Sequence, residues 1–114
     1  MTTMRILALA SLAAVLSGLA AAPARADVID GDWCYSTTRH LTIKGPSIVT
    51  PGGHQLTGNY TRHSFTYVVP ANEPDAGKTV NMILINEETV NLRIDAAGSQ
   101  GPIQVWRRCA GPTS

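Results

Sequence analysis

The chain has 114 residues, 44% of them hydrophobic, a formal charge of +1, two Cys and only 5% aromatics. That length builds one small core rather than two. The near-neutral charge excludes a partner recognised through a concentrated basic surface, such as nucleic acid or an anionic membrane.

Arg5 precedes an uncharged, apolar run at residues 6–16 (ILALASLAAVL) with Ser11 its one polar residue, and Gly18 follows before Ala24-Arg25-Ala26. A positive start, a short apolar body and a small-x-small ending are the pattern of a cleaved Sec-type signal peptide. A run this short spans only about 16 Å at the helical rise, half a bilayer core, so it does not read as an anchor. No Arg pair precedes the run and no Cys stands at the cleavage point, so neither twin-arginine export nor a lipid anchor is expected. The expected product is a single β domain, residues 27–114, in the periplasm or outside the cell. Two of the nine basic residues lie in the leader and none of the eight acids does, which leaves the domain a net charge of −1.

Val, Ile and Thr are abundant beyond residue 26, and Gly or Pro interrupts nearly every window of ten. This composition favours short strands over helices. Alternation of apolar and polar residues predicts strands at 33–36 and at Arg39–Lys44, with Leu41 and Ile43 on one face. Gly45-Pro46 turns the chain into 47–50, and Pro51-Gly52-Gly53 turns it again into 54–60, where Gly58 signals a bulge or close packing. Residues 64–69 alternate through Phe65, Tyr67 and Val69. The polar segment 70–77 (PANEPDAG) is the longest break. Residues 78–85 alternate through Val80, Met82 and Leu84, and Ile83 and Ile85 on the opposite face predict burial on both sides or a subunit contact. Thr89–Asp95 follows with Val90, Leu92 and Ile94 in phase. A loop at 96–102 then leads to the last strand, 103–109. Residues 78–97 are long enough for a helix, but their apolar period is two rather than 3.6. The expected fold is all-β: an antiparallel meander of about eight short strands closed as a barrel or sandwich. Its interior should be filled by side chains, not hollow around a ligand.

Cys34 and Cys109 offer one intramolecular pairing, and an exported domain of this size gains from it, so a disulfide is expected. Arg107 and Arg108 precede Cys109, which leaves a reactive thiol as the other reading.

Gly31-Asp32-Trp33 at the head of such a meander resembles the G-x-W opening of the calycin, or lipocalin-like, barrels. The resemblance implies that Trp33 plugs one end of the barrel and that a basic side chain of the last strand, Arg107 or Arg108, packs across it. The layout is also similar to the small periplasmic lysozyme and metalloprotease inhibitors, which are disulfide-braced eight-stranded barrels. That likeness implies a protein partner. The Ser-Gly-x-x-Tyr loop of the lysozyme inhibitors is absent, so none of their inhibitory residues is carried over.

The chemistry-bearing inventory is short. His40, His54 and His63 are spaced by 14 and 9 residues, which matches no compact ligand motif, and no metal site or cofactor is expected. The pairs Arg39-His40 and Arg62-His63 would bring two guanidinium forks to one rim, suited to a carboxylate or phosphate, if their strands neighbour one another. Glu87 and Glu88 diverge on a strand, and no G-x-S-x-G, H-E-x-x-H or Gly-rich phosphate loop occurs, so catalysis is not expected. The function expected is a protein-binding module acting on another periplasmic or extracellular protein through the 70–77 and 96–102 loops, with inhibition of a hydrolase as its specific form. The alternatives are an envelope structural or stress protein without a target enzyme, and a metal or small-anion binder through the His/Arg rim.

Overall fold

The computed structural model describes residues 28–110; the segment read above as a signal peptide lies outside the described residues. Nine strands follow in chain order: β1 (Gly31–Tyr35), β2 (Arg39–Lys44), β3 (Ser47–Val49), β4 (Gln55–Thr57), β5 (Asn59–Thr61), β6 (Ser64–Val68), β7 (Thr79–Asn86), β8 (Thr89–Asp95) and β9 (Gln104–Arg108). Among the described residues there is no helix.

The strands form one antiparallel sheet in the order β4-β3-β2-β1-β9-β8-β7-β6-β5. Neighbours are consecutive in the chain except β1 and β9, which pair Trp33 with Arg108 and Cys34 with Arg107. The meander thus curls until its first and last strands meet, and the Cys34–Cys109 disulfide links them, with Cα atoms 5.0 Å apart. The outermost strands, β4 and β5, are joined through Gly58. The result is a nearly closed barrel rather than a sandwich.

Nine strands stand where eight were expected because residues 54–60 bend at Gly58. The first half of this segment pairs with β3 and the second half with β6. The bend is possible because Gly58 lies directly on β6: a Cβ there would sit 2.5 Å from Phe65 Cε1 and 2.5 Å from the Thr66 carbonyl oxygen. Backbone and a buried ring cannot both move aside in a packed core. Gly58→Ala is therefore expected to destabilise the protein by about 2 kcal/mol, seen as a lower urea midpoint at unchanged slope.

Alternation sends one face of every strand into the barrel. Ile29, Trp33, Leu41, Ile43, Phe65, Met82, Val90 and Trp106 have no exposed surface, and Ile48, Tyr67, Val69, Val80 and Leu92 complete the core. Burial of this apolar surface is the main stabilising term. Within the chain Ile83 and Ile85 are not buried on both sides: each is 52% exposed, on the face of β7 that points away from the core.

An antiparallel meander gathers its connections at two ends. The turns after β2, β5 and β7 lie at one end, together with residues 28–30, which cross it as a strap. Trp33 closes this end. Its Nε1 donates to the Ile29 carbonyl at 2.8 Å, and the Arg108 guanidinium lies 4.3 Å over its ring. The same guanidinium donates to the carbonyls of Val28, Asp30 and Glu87 at 2.9, 2.6 and 2.7 Å. Gly31, at φ 126°, lies under Arg108 where a side chain would collide with it. Arg107 points outward and donates to Thr89 Oγ1. Asp30 completes the strap by accepting from Tyr60 Oη and from the Gly45 N–H. The connections after β1, β3, β6 and β8 form the opposite, loop-bearing end.

Candidate functional site

The topology separates the two Arg-His pairs. Arg39 and His40 open β2 at the loop end, whereas Arg62 and His63 lie in the β5–β6 turn at the strap end. The two guanidinium forks therefore do not share a rim. His40 is exposed on the outer face with Nε2 3.8 Å from Asp32. His63 is exposed, and its carbonyl accepts from the Leu84 N–H. Among the described residues no three His, Cys, Asp or Glu side chains stand close enough to share a metal ion. His54 is the histidine that enters a built arrangement.

That arrangement centres on Glu73, whose side chain is 6% exposed although it belongs to the long polar loop. Its Oε2 accepts from Thr50 Oγ1 and lies 2.6 Å from His54 Nδ1. Thr50 and His54 flank the Pro51-Gly52-Gly53 turn and are locked to each other: the Thr50 N–H donates to the His54 carbonyl, and the His54 N–H to Thr50 Oγ1. Glu73 thus clasps the 70–77 loop to the β3–β4 turn across the front of the barrel. Burial pushes its carboxyl up, but the hydrogen bonds from Thr50 and His54, the charge of the imidazole and the Gly52 N–H outweigh it and hold the pKa below the ordinary 4.5.

The second long loop is held in the same manner. Asp95 accepts from the Gly101 N–H at 2.8 Å, from Asn81 Nδ2 at 2.8 Å and from the Arg93 guanidinium. Arg93 first, then the Gly101 N–H, hold its pKa down to about 2 from 3.8, against the opposing effect of burial. Both loops through which the sequence was read to act are therefore anchored to the barrel by a carboxylate.

Between the anchors the chain forms a ridge. Asp75 takes φ 68°, and its Oδ1 accepts from Lys78 Nζ at 2.9 Å. The Ala76 N–H bonds back to the Glu73 carbonyl and the Gly77 N–H to that of Val69. A cleft of about 290 Å³, lined by Arg39, Gly52, Glu73 and Pro74, runs along one side. One of about 300 Å³, lined by Lys78, Ala96, Ser99 and Pro102, runs along the other, and Asp75 borders both. Below the first cleft Arg39 lies 5.6 Å over the Trp106 ring, and Tyr35 stacks on the same ring at 5.3 Å. Tyr67 beneath is pushed up to about 12, by burial first and by the Glu73 charge second.

Thr50, His54 and Glu73 have the residue types of a hydrolytic triad but not its connectivity. The hydroxyl and the imidazole both bond to the same carboxylate oxygen, and the hydroxyl does not face the free imidazole nitrogen. What the set does is fix a loop. A carboxylate whose pKa is lowered in the folded state stabilises the fold above its unfolded pKa and loses that contribution as pH falls through the folded value. Acid titration of stability should therefore show a decline beginning near pH 4.5 from Glu73, and a further one between 3.8 and about 2 from Asp95. The Glu73→Gln variant, compared by urea denaturation at each pH, is expected to lose the first decline and keep the second.

Sequence reasoning passed over Glu73 and Asp95 as loop-forming anchors. Glu73 stands 19 and 23 residues from its partners, which leaves no local pattern; the bond that holds the second loop, Gly101 N–H to Asp95, is a backbone contact that side-chain types do not reveal. Compared with protein-family models, curated proteins and solved structures, the chain matches none.

Proposed function

We propose that the protein is an exported, disulfide-closed barrel that binds another protein through its loop end, with the 73–76 ridge as the inserted element. The observation that carries this reading is the Glu73 clasp. A loop held in one conformation before contact spares most of the ordering entropy that a free loop loses on binding. The flanking clefts give a partner's surface two places to seat, and the ridge between them is the element that would enter a concave target such as a hydrolase cleft. The filled core supports an external rather than an internal ligand. The Arg108–Trp33 stack beside Gly31, and the closure of β1 on β9, support the calycin-like resemblance; the inhibitory role rests on the separate likeness in layout to the small periplasmic inhibitors.

The test is capture from a periplasmic extract on immobilised protein. Pro74→Glu and Ala76→Arg alter the ridge surface and leave the clasp in place. A stoichiometric partner that survives salt, with binding weakened at least tenfold (about 1.4 kcal/mol) in both variants at an unchanged melting temperature, is the expected result. Retention of the partner by both variants would remove the ridge from the interface and overturn the reading.

A further inference from the structure

The bend at Gly58 leaves a seam in the barrel wall. Antiparallel ladders alternate residues whose N–H and C=O face one neighbour with residues that face the other. The Thr50 N–H donates to His54, and the Gly58 N–H to Pro46. Residues 54, 56 and 58 therefore direct their backbone groups to β3, and Gln55 and Thr57 direct theirs outward across the seam. On β6, the Val69 N–H donates to Lys78 and the Leu84 N–H to His63, so the odd residues serve β7. Of the even residues, Ser64 and Thr66 are paired by β5, and Val68 faces the seam.

Two strand edges thus confront each other without pairing: among the described residues no ladder joins β4 to β6. The opening ends at Gly58 on one side and at the Glu73 clasp to Thr50 and His54 on the other. Between them lies a cleft of about 480 Å³ whose lining includes Leu56, Thr57, Thr66, Tyr67 and Val68 and carries no charged side chain. Val68 is 58% exposed there.

We infer that the seam is a strand-addition site for an extended, uncharged segment of a partner protein. Only a polypeptide backbone presents donors and acceptors alternately on both edges at the spacing that Gln55, Thr57 and Val68 require. The uncharged lining disfavours Lys, Arg, Asp or Glu at the centre of the segment, and an apolar side chain directed inward meets Leu56 and Tyr67. Exposed strand edges attract other chains unless they are covered or charged, and this one is neither. The seam is a surface separate from the ridge, so it stands whether or not the ridge binds.

The probe is the peptide acetyl-Thr-Val-Thr-Val-Thr-amide, titrated into the ¹⁵N-labelled protein. Saturable shifts and slowed hydrogen exchange at the amides of Gln55, Thr57 and Val68 are expected, with no effect from the same peptide N-methylated at alternate residues. Proline is tolerated where an N–H faces away from the ladder. Val68→Pro and Thr57→Pro are therefore each expected to weaken the peptide at least tenfold while leaving the melting temperature within a few degrees. Three results overturn the proposal. They are no saturable change at these amides, slow exchange at them before peptide is added, and shifts that follow protein concentration alone, which would give the seam to a second copy of the chain.

Discussion

Replacing Cys34 and Cys109 together by alanine is expected to lower the unfolding free energy by about 4.5 kcal/mol, because the bridge closes a loop with a sequence separation of 75. For a domain of this size that is a third or more of the whole stability, and the melting temperature should fall by on the order of 20 °C. The position of the bridge makes the effect specific. The meander closes only where β1 meets β9, and that ladder consists of two residue pairs, Trp33 with Arg108 and Cys34 with Arg107. The Cys109 N–H adds one bond to the Asp32 carbonyl. Without the covalent link these few bonds must hold the barrel shut. Thermal melts of the double variant, and of the native protein with and without reductant, measure the loss. An unchanged midpoint would mean that the β1–β9 ladder suffices alone.

Arg108→Met is expected to cost about 3 kcal/mol. The substitution keeps an apolar stem of similar length but removes the guanidinium that stacks on Trp33 and donates to three carbonyls from the strap and the β7–β8 turn. Each hydrogen bond to a charged donor contributes about 1.5 kcal/mol or more, and the stack up to about 1; water reaching the freed carbonyls returns part of the loss. Arg108→Lys should recover less than half of it, because an ammonium cannot fork to carbonyls on two segments. Arg107→Met provides the control: its exposed side chain bonds outward to Thr89, and its loss should stay within about 0.5 kcal/mol. Urea denaturation followed by tryptophan fluorescence separates the three. Equal losses for Arg107→Met and Arg108→Met would contradict the assignment of Arg108 as the closing residue.

Much of the fold was legible residue by residue. Leu41 and Ile43, Phe65 and Tyr67, Val80 and Met82, and Val90 and Leu92 fall in period two in the sequence and line the barrel in the structure. The period reports which face is apolar, and burying that face is what drives the strands together. At Ile83 and Ile85 the same signal did not mean burial within the chain: an apolar outer face records what a strand presents, not what covers it. It failed at residues 54–60, where one alternating run divides between two partners because Gly58 must sit on Phe65. The Arg-His pairs were misplaced for a related reason. Likeness in sequence carries no information about which end of a meander a turn occupies, and three passes across the barrel (β2, β3 and the β4–β5 run) separate the two pairs, which puts them at opposite ends.

By itself, then, the sequence determined the all-β class, the alternating core and the single possible pairing of Cys34 with Cys109. These are local or combinatorial properties: a period, a turn residue, a count of two thiols. The tertiary structure alone decided that the meander closes as a barrel, that Arg108 rather than Arg107 covers Trp33, that Glu73 clasps its loop to Thr50 and His54, and that the wall stays open between β4 and β6. Each of these depends on groups far apart in the chain, and the free energy that brings them together comes from burying the whole core, which no short stretch of sequence contains.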